Sequence, residues 1–435
     1  MTHSKGLLAL SPILLLGILF FGLGIAWGDF YKVPLVVVFG IVLVYAVSVT
    51  KGRTIGERID AVCSGAGEGN LMLMIWIFLL AGSFAQIAKQ MGAIDAMVDL
   101  TLAVMPSVMV LPSIFLAACF ISISIGTSVG TIVALSPIAA GMADATGIPA
   151  AMLVACAVGG AFFGDNLSFI SDTTIVATRT QGVRLSDKFR ANVRIAVPAA
   201  VITFGILLLL SFSAAAGESD FAVGGFGDIP GSTFVKVLPY LCVLVFAALG
   251  TNVVLVLVAG NILSILIGIV LGDLGVSTAM EASAEGMKGM TETILIALMA
   301  GGMMELIRRG GGIGYLIYHL TRRVKGKRGA EGAIAALVCL TNCCTANNTV
   351  AILSVGKISA EIAERYGVDR CKSASLLDTF SCVVQGLIPY GAQLLIAAGL
   401  TGLNPIELIP HLYYNFVLAV VAIGGIVFRY PRKYS

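Results

Sequence analysis

Apolar stretches of roughly 20 residues, the length an α-helix needs to cross a hydrocarbon core, recur along the whole chain. They run over Leu7–Ala26, Val33–Val49, Leu71–Ala88, Val193–Ser213, Leu255–Leu274, Ile294–Ile307 with its flanks, and Ile406–Phe428. A large soluble α/β protein would instead show buried strands of about 4–8 apolar residues. Charged residues make up only 12% of the 435 positions, against about 25% in an average soluble protein. That is too few to cover a water-facing surface. The fold expected is an all-α polytopic membrane protein. The first apolar stretch lacks a small-residue cleavage site and reads as a signal anchor kept as the first span.

The formal net charge of +3 is small, and its carriers sit in short loops, so nucleic acid is excluded as a partner. The nine cysteines lie mostly in apolar stretches without a C-x-x-C pair; they read as buried thiols behaving as small hydrophobes. His3, His319 and His411 lie at the terminus, in a basic loop and at a span edge. No resident cofactor or metal cluster is expected, and no nucleophile–base pair that would make the chain an enzyme.

Lys and Arg collect in cytoplasmic loops. The clusters are Lys51/Arg53/Arg58, Arg179–Arg194, Arg308–Arg328 and Arg429–Lys433, and between them lie the acidic stretches Gly217–Ile229 and Asp273–Glu285. Placing every basic cluster inside calls for about ten full crossings and both termini in the cytoplasm. It also calls for two segments that enter and leave on one side, at about 149–179 and 370–400.

An internal repeat supports this path. Gly67, Ala81–Gly82, Lys89, Gly92 and Ile94 match Gly286, Ala300–Gly301, Arg308, Gly311 and Ile313 at a shift of 219. Thr131–Ser136 matches Thr349–Ser354 at 218, and Gly147 matches Gly367 at 220. Lys89 falls outside and Arg308 inside, so the halves are inverted with respect to the membrane, as in ion-coupled secondary transporters whose site lies at the midplane. The expected organisation is a first repeat at 1–214, an extracytoplasmic linker at 215–232 and a second repeat at 233–435. Each repeat would hold about five transmembrane helices and one re-entrant hairpin. The amphiphilic stretches Thr54–Glu68 and Met280–Thr291 read as matching interfacial helices.

Irregular backbone at membrane depth is tolerated only where it lines protein or water. Four such breaks are visible: Ser122–Thr131 and Phe163–Thr174 in the first half, Thr341–Thr349 and Gln385–Gln393 in the second. All are dense in hydroxyls, amides and glycine. Asp165 and Asp172 are the only ionisable residues between Ala151 and Thr178. A charge at depth costs about 2.5–3.5 kcal/mol on insertion scales and marks function by default. Asp165 would end a half-helix, where the partial negative charge disfavours a carboxylate unless a cation joins it. Asp172 would cap the next half-helix or take part in the site. Ser168, Ser171 and freed carbonyls can complete an oxygen shell for a hard cation. A desolvated carboxylate also holds its proton more tightly, so one site can hold either ion. Glu305, a turn before Arg308 and Arg309, reads as an interfacial ion pair. Asp378 stands between a structural cap and a further proton carrier.

Gly126-Thr-Ser-Val-Gly-Thr131 and Gly164-Asp-x-x-Ser-x-x-Ser-Asp-Thr-Thr174 resemble the G-T-S-W-G-T and G-D-x-x-S-P-x-S-D-T-T motifs of the NhaC family of Na+/H+ antiporters. The resemblance covers most of the chain. It implies Na+ or Li+ exchange for H+ in a prokaryotic plasma (inner) membrane, and it implicates Thr127, Ser128, Thr131, Asp165, Ser168, Ser171, Asp172, Thr173 and Thr174. Asp165 and Asp172 are expected to hold Na+ and, with Asp378, to carry protons. Asn342, Thr345, Asn347, Asn348, Gln385 and Gln393 are the candidates from the second half. Val129 and Phe169 replace the motif tryptophan and proline, which opens substrate identity, because NhaC-like proteins include exchangers of organic anions. The alternative is therefore an Na+-coupled transporter or exchanger of a small organic acid or amino acid. Partners left open are small cations, such an acid, membrane lipid and a second copy forming a homodimer.

Overall fold

The computed structural model describes residues 3–28, 33–50, 54–104, 106–168, 171–215, 230–249, 251–322, 324–431 and 434. Among these the regular structure is all helical. The first half contains α1 (His3–Trp27), α2 (Leu35–Val49), α3 (Ile55–Ala66), α4 (Gly69–Gln90), α5 (Ala93–Val104), α6 (Val110–Ile125), α7 (Ser128–Thr146), α8 (Ala150–Leu167), α9 (Asp172–Gln181) and α10 (Leu185–Ala215). The second contains α11 (Gly231–Ala248), α12 (Val253–Leu271), α13 (Val276–Gly289), α14 (Thr291–Arg309), α15 (Gly312–Thr321), α16 (Gly326–Thr345), α17 (Asn348–Tyr366), α18 (Arg370–Leu387), α19 (Ala392–Thr401), α20 (Pro405–Leu408) and α21 (Tyr413–Val427). Eight described segments, or nine with the bent stretch Pro405–Val427, are long and apolar enough to cross a membrane. This is the multi-pass helical architecture expected from the recurring apolar stretches. The linker expected at 215–232 lies almost wholly outside the described residues.

The helix bounds repeat. α7 and α17, α8 and α18, and α9 and α19 are offset by 220 residues at both ends. Thr131 thus stands opposite Ala351 rather than Thr349. Similar apolar helices can be slid by two residues with little change in pattern, which is why the local sequence match gives 218.

Direction along the bundle corrects one expectation. The chain was expected to turn back within 149–179 and 370–400. Instead, α18 runs beside α8 and α9 in one continuous antiparallel track. Gly386 meets Phe162, Asp378 meets the α8–α9 break through Lys188, and Arg370 reaches the Gln181 carbonyl. α9 therefore carries on in the direction of α8, and Ala150–Gln181 and Arg370–Thr401 are single interrupted spans of 32 residues each. The reversals occur one element earlier. Ser122 bonds the Ala161 carbonyl and Gly160 packs on Phe115 and Ala118, so α6 runs parallel to α8. Ser128, at the start of α7, meets Asp165 at the end of α8, so α7 runs antiparallel to both. α6–α7 is a helical hairpin with its tip at Gly126–Thr127. α16–α17 is its counterpart, with its tip at Ala346–Asn347 and its open ends joined by Tyr366 on the Val324 carbonyl.

Backbone angles explain the difference. The tips use left-handed residues, Gly126 at φ 76° and Ala346 at φ 51°. The breaks use extended ones, Ser168 (φ −70°, ψ 139°) and Ser171 (φ −65°, ψ 136°). Extended backbone carries a chain onward, whereas a left-handed residue closes a helix end and turns it.

The amphiphilic helices cross between halves. α3, held by a Thr54/Glu57 capping box, packs Gly65 against the Gly301 carbonyl of α14, and α13 packs Gly286 against the Gly82 carbonyl of α4. Neither backbone could approach so closely with a Cβ present. The interrupted spans lie deepest: 94% of the apolar window in 150–181 is buried within the protein. The site is thereby assembled at the centre of the bundle.

Candidate ion-binding site

The two hairpin tips and the two span breaks converge on one open cavity of about 360 Å³. α7 contributes Thr127, Ser128 and Val129, and the first span break contributes Asp165, Ser171, Asp172 and Thr173. The second half supplies Asn347, Asn348 and Thr349 from the start of α17, with Gln385 and Gln393 from the second break. Leu73, Met74 and Ile77 of α4 and Asn252–Val254 at the start of α12 close the wall. No Lys or Arg lines it among the described residues.

Asp165 is the centre of the polar network. It lies in the last turn of α8 and is 5% exposed. Ser128 donates to its Oδ2 at 2.6 Å and Ser171 donates to its Oδ1 at 3.0 Å. Ser171 is the N-cap of α9 yet makes no capping bond; its hydroxyl instead pairs with Thr173 at 2.9 Å and with the carboxylate. From Ser128 the network crosses into the second half. Gln393 Nε2 donates to Ser128 Oγ at 3.0 Å, and Gln385 Nε2 donates to Gln393 Oε1 and to the Ala346 carbonyl, both at 3.0 Å. The 220-residue offset places Gln385 opposite Asp165, an amide where the first half has an acid.

Asp172 lies in the first turn of α9 and is exposed to the cavity; the N-cap position expected for it belongs to Ser171. A carboxylate there is favoured by the partial positive charge of a helix N-terminus.

Several other expected residues, Ser168, Thr131, Thr174, Asn342 and Thr345, lie near the site without facing the cavity. Ser168 turns to the Ile123 carbonyl of α6. Thr131 bonds its own preceding turn at Thr127, and Thr174 accepts from Lys188 and sits 3.5 Å from the Asp165 carbonyl. Asn342 holds the Ser381 carbonyl, tying α16 to α18. Thr345 bonds the Asn347 carbonyl and lines a neighbouring cavity of about 380 Å³ with Glu305 and Arg308. Asn347 faces both cavities while its side chain caps α17 through the Val350 amide. Glu305 forms the expected ion pairs with Arg308 and Arg309, at 2.6 and 2.5 Å. Phe169 lies outside the described residues.

Asp378 is placed elsewhere. It is fully buried in α18 and paired with Lys188 at 2.5 Å. The sequence reading put Lys188 in a cytoplasmic basic cluster. The signal that could have separated it is the spacing of Lys188 and Asn192, four residues apart on one face of α10 and leading into an apolar run.

The chain matches the Na+/H+ antiporter family over residues 5–214 and 229–429. It belongs to that family. Membership makes the chain a transporter rather than an enzyme. It is 26% identical over 396 residues to the Na+/H+ antiporter NhaC of Bacillus subtilis, covering 84% of each chain. It is 22% identical over 352 residues to the malate-2H+/Na+-lactate antiporter of the same organism, covering 74% of each. Among solved structures it is similar to the YdaH transporter of Alcanivorax borkumensis at 14% identity and a TM-score of 0.42, over 86% of this chain and 88% of that one.

Proposed function

We propose that the chain exchanges Na+ for H+ across a prokaryotic plasma membrane, with Asp165 taking either ion in turn and Asp172 assisting from the cavity wall. Membership of the Na+/H+ antiporter family supports the exchange itself. The observation that carries the site is a buried carboxylate, held by two hydroxyls, at the edge of a cavity built by both halves and lined by no Lys or Arg among the described residues. Na+ takes oxygen ligands, and hydroxyls, carboxylates and helix-end carbonyls supply them here. The ions compete because a protonated carboxyl cannot neutralise a cation.

The topology that fits this reading keeps ten crossings and cytoplasmic termini. α6–α7 re-enters from outside and α16–α17 from inside, as inverted counterparts. The chain from Arg179 to Arg194, the stretch Arg308–Arg328 and the C-terminal Arg429 then stay cytoplasmic, as the charge bias of membrane proteins requires. Alternating access would open the cavity to each side in turn.

A second reading, exchange of a small organic acid or amino acid, has its own observation. The N-termini of α7, α9, α17 and α19 all open onto the cavity, and such ends favour anions. A volume of about 360 Å³ also exceeds what one ion fills. The malate/lactate relative carries the same reading. Proteoliposomes with an internal pH dye, given Na+, Li+, K+ and organic acids separately, decide between them. Proton movement driven by Na+ alone is expected; movement only when an organic acid is present would overturn the first reading.

A further inference from the structure

Next to the cavity lies a second buried polar cluster that ion exchange at Asp165 does not use. Lys188, in the first turn of α10, is 1% exposed, and Asp378, midway along α18, is 0% exposed. Neither lines the cavity. The Lys188 ammonium donates to Asp378 Oδ2 at 2.5 Å, Thr174 Oγ1 at 2.6 Å and the Asn166 carbonyl at 3.0 Å. Asn192, one turn on, donates to the same Asp378 oxygen at 2.8 Å and the same carbonyl at 3.0 Å. The cluster thus ties the end of α8, the start of α9 and the start of α10 to the middle of α18.

Buried ion pairs are common as fixtures, and many add little stability. Two features here go beyond a fixture. The first is the donor set. A carboxylate, a hydroxyl and a backbone carbonyl left over at a helix end are the ligands an alkali cation takes once its water is stripped. The second is spare capacity. Asp378 Oδ1 and Asn192 Oδ1 are buried with no hydrogen-bond partner among the described residues. A spherical ion beside Asp378 could use both oxygens of its carboxylate, whereas the tetrahedral ammonium already directs its three N–H bonds elsewhere.

We propose that Lys188 is a tethered cation filling a second alkali-cation site, so that among the described residues Asp165 is left as the one buried carboxylate lining the cavity. The proposal rests on the assignment of mobile-ion binding to Asp165. The ammonium neutralises Asp378, whose charge otherwise acts on Asp165 of α8, Cys382 on its own helix and Tyr414 of α21. It also holds the carbonyl of Asn166, the residue next to Asp165, and so positions the working carboxylate. Removal of the side chain to Cβ vacates the space and leaves the Asp378 carboxylate, the Thr174 hydroxyl and the Asn166 carbonyl open to an incoming ion.

The test is a gain of function in a silenced background, read as the shift in thermal unfolding of purified protein between NaCl and choline chloride. Asp165→Asn should show no Na+ shift. Asp165→Asn/Lys188→Ala should regain one, and adding Asp378→Asn should abolish it again. A silent but folded Asp165→Asn/Lys188→Ala overturns the tethered-cation proposal. A Na+ shift retained in Asp165→Asn alone overturns the Asp165 assignment instead, and with it the claim that Lys188 leaves Asp165 as the single mobile-ion site. Should the alanine variant fail to fold, Lys188→Met, Asp378→Asn and their double variant decide. Each single variant strands a buried charge or acid and should unfold well below the double. Single variants as stable as the double would show that Asp378 does not hold Lys188 as its cation, and would overturn the proposal.

Discussion

Asp165→Asn removes the charge and keeps the shape. Asp165 accepts hydrogen bonds from Ser128 at 2.6 Å and Ser171 at 3.0 Å, and bonds to a charged group contribute about 1.5–3 kcal/mol each. Against this stands the cost of holding a carboxylate out of water, several kcal/mol per ion. The asparagine forfeits part of the first term and all of the second, so folding stability should change by no more than about 2 kcal/mol. Binding should change far more. Na+ at 100 times its dissociation constant adds about 2.7 kcal/mol to wild-type stability, and that increment should vanish, because an amide neither neutralises a cation nor exchanges a proton near neutral pH. The assay pairs thermal unfolding with and without Na+ with dye-reported proton flux in proteoliposomes. Normal Na+-driven flux in the variant would refute the reasoning and move the carrier to another acid, Asp172 first.

Asp172→Asn should also abolish Na+-dependent proton movement, but with a stability change within about 0.5 kcal/mol, since the side chain is exposed; unchanged flux would remove it from the mechanism. Ser128→Ala strips a donor from Asp165 and leaves the Gln393 amide short of a partner, which should lower stability by about 1–3 kcal/mol; a loss under about 0.5 kcal/mol in chemical denaturation would show the network to be slack. Val129→Trp places a large ring in the cavity wall and should shift apparent Na+ or Li+ affinity while the protein still folds. Loss of expression would instead assign Val129 to packing.

The sequence made the membrane class legible because apolar windows of about twenty residues fit a bilayer and little else. It also exposed the breaks, since hydroxyls and amides stand out against apolar surroundings, and most of the candidates drawn from them meet at one cavity. What it did not reveal was which breaks reverse the chain. A break shows as polar composition in either case, whereas reversal depends on φ: Gly126 and Ala346 are left-handed, and Ser168 and Ser171 are extended. Ala346 gave no glycine signal for its turn. Lys188 was hidden for a different reason. A basic residue among Arg184, Arg190 and Arg194 reads as a loop charge, and only the approach of α18 brings Asp378 to it. Long-range pairs of this kind leave no local pattern.

The offset between the halves gives the site its asymmetry. Gln385 stands where Asp165 stands and Gln393 where Thr173 stands, so an acid and a hydroxyl of the first half correspond to amides in the second, while Ser171 and Asp172 correspond to Gly391 and Ala392. Had Gln385 been an acid, a second buried carboxylate would join Asp165 in one hydrogen-bonded network and share a proton with it, and the first cation would meet a site already half-titrated. An amide avoids this while still bonding Gln393 and the Ala346 carbonyl at the opposite hairpin tip. The chain Gln385–Gln393–Ser128–Asp165 therefore links both tips to Asp165, the buried carboxylate of the cavity wall. A cation that draws Ser128 toward itself must also disturb Gln393 and the second break. Under the proposed assignment, ion occupancy at one half would thus couple to the packing of the other, which is the linkage an exchanger needs if loaded and empty sites are to favour different arrangements.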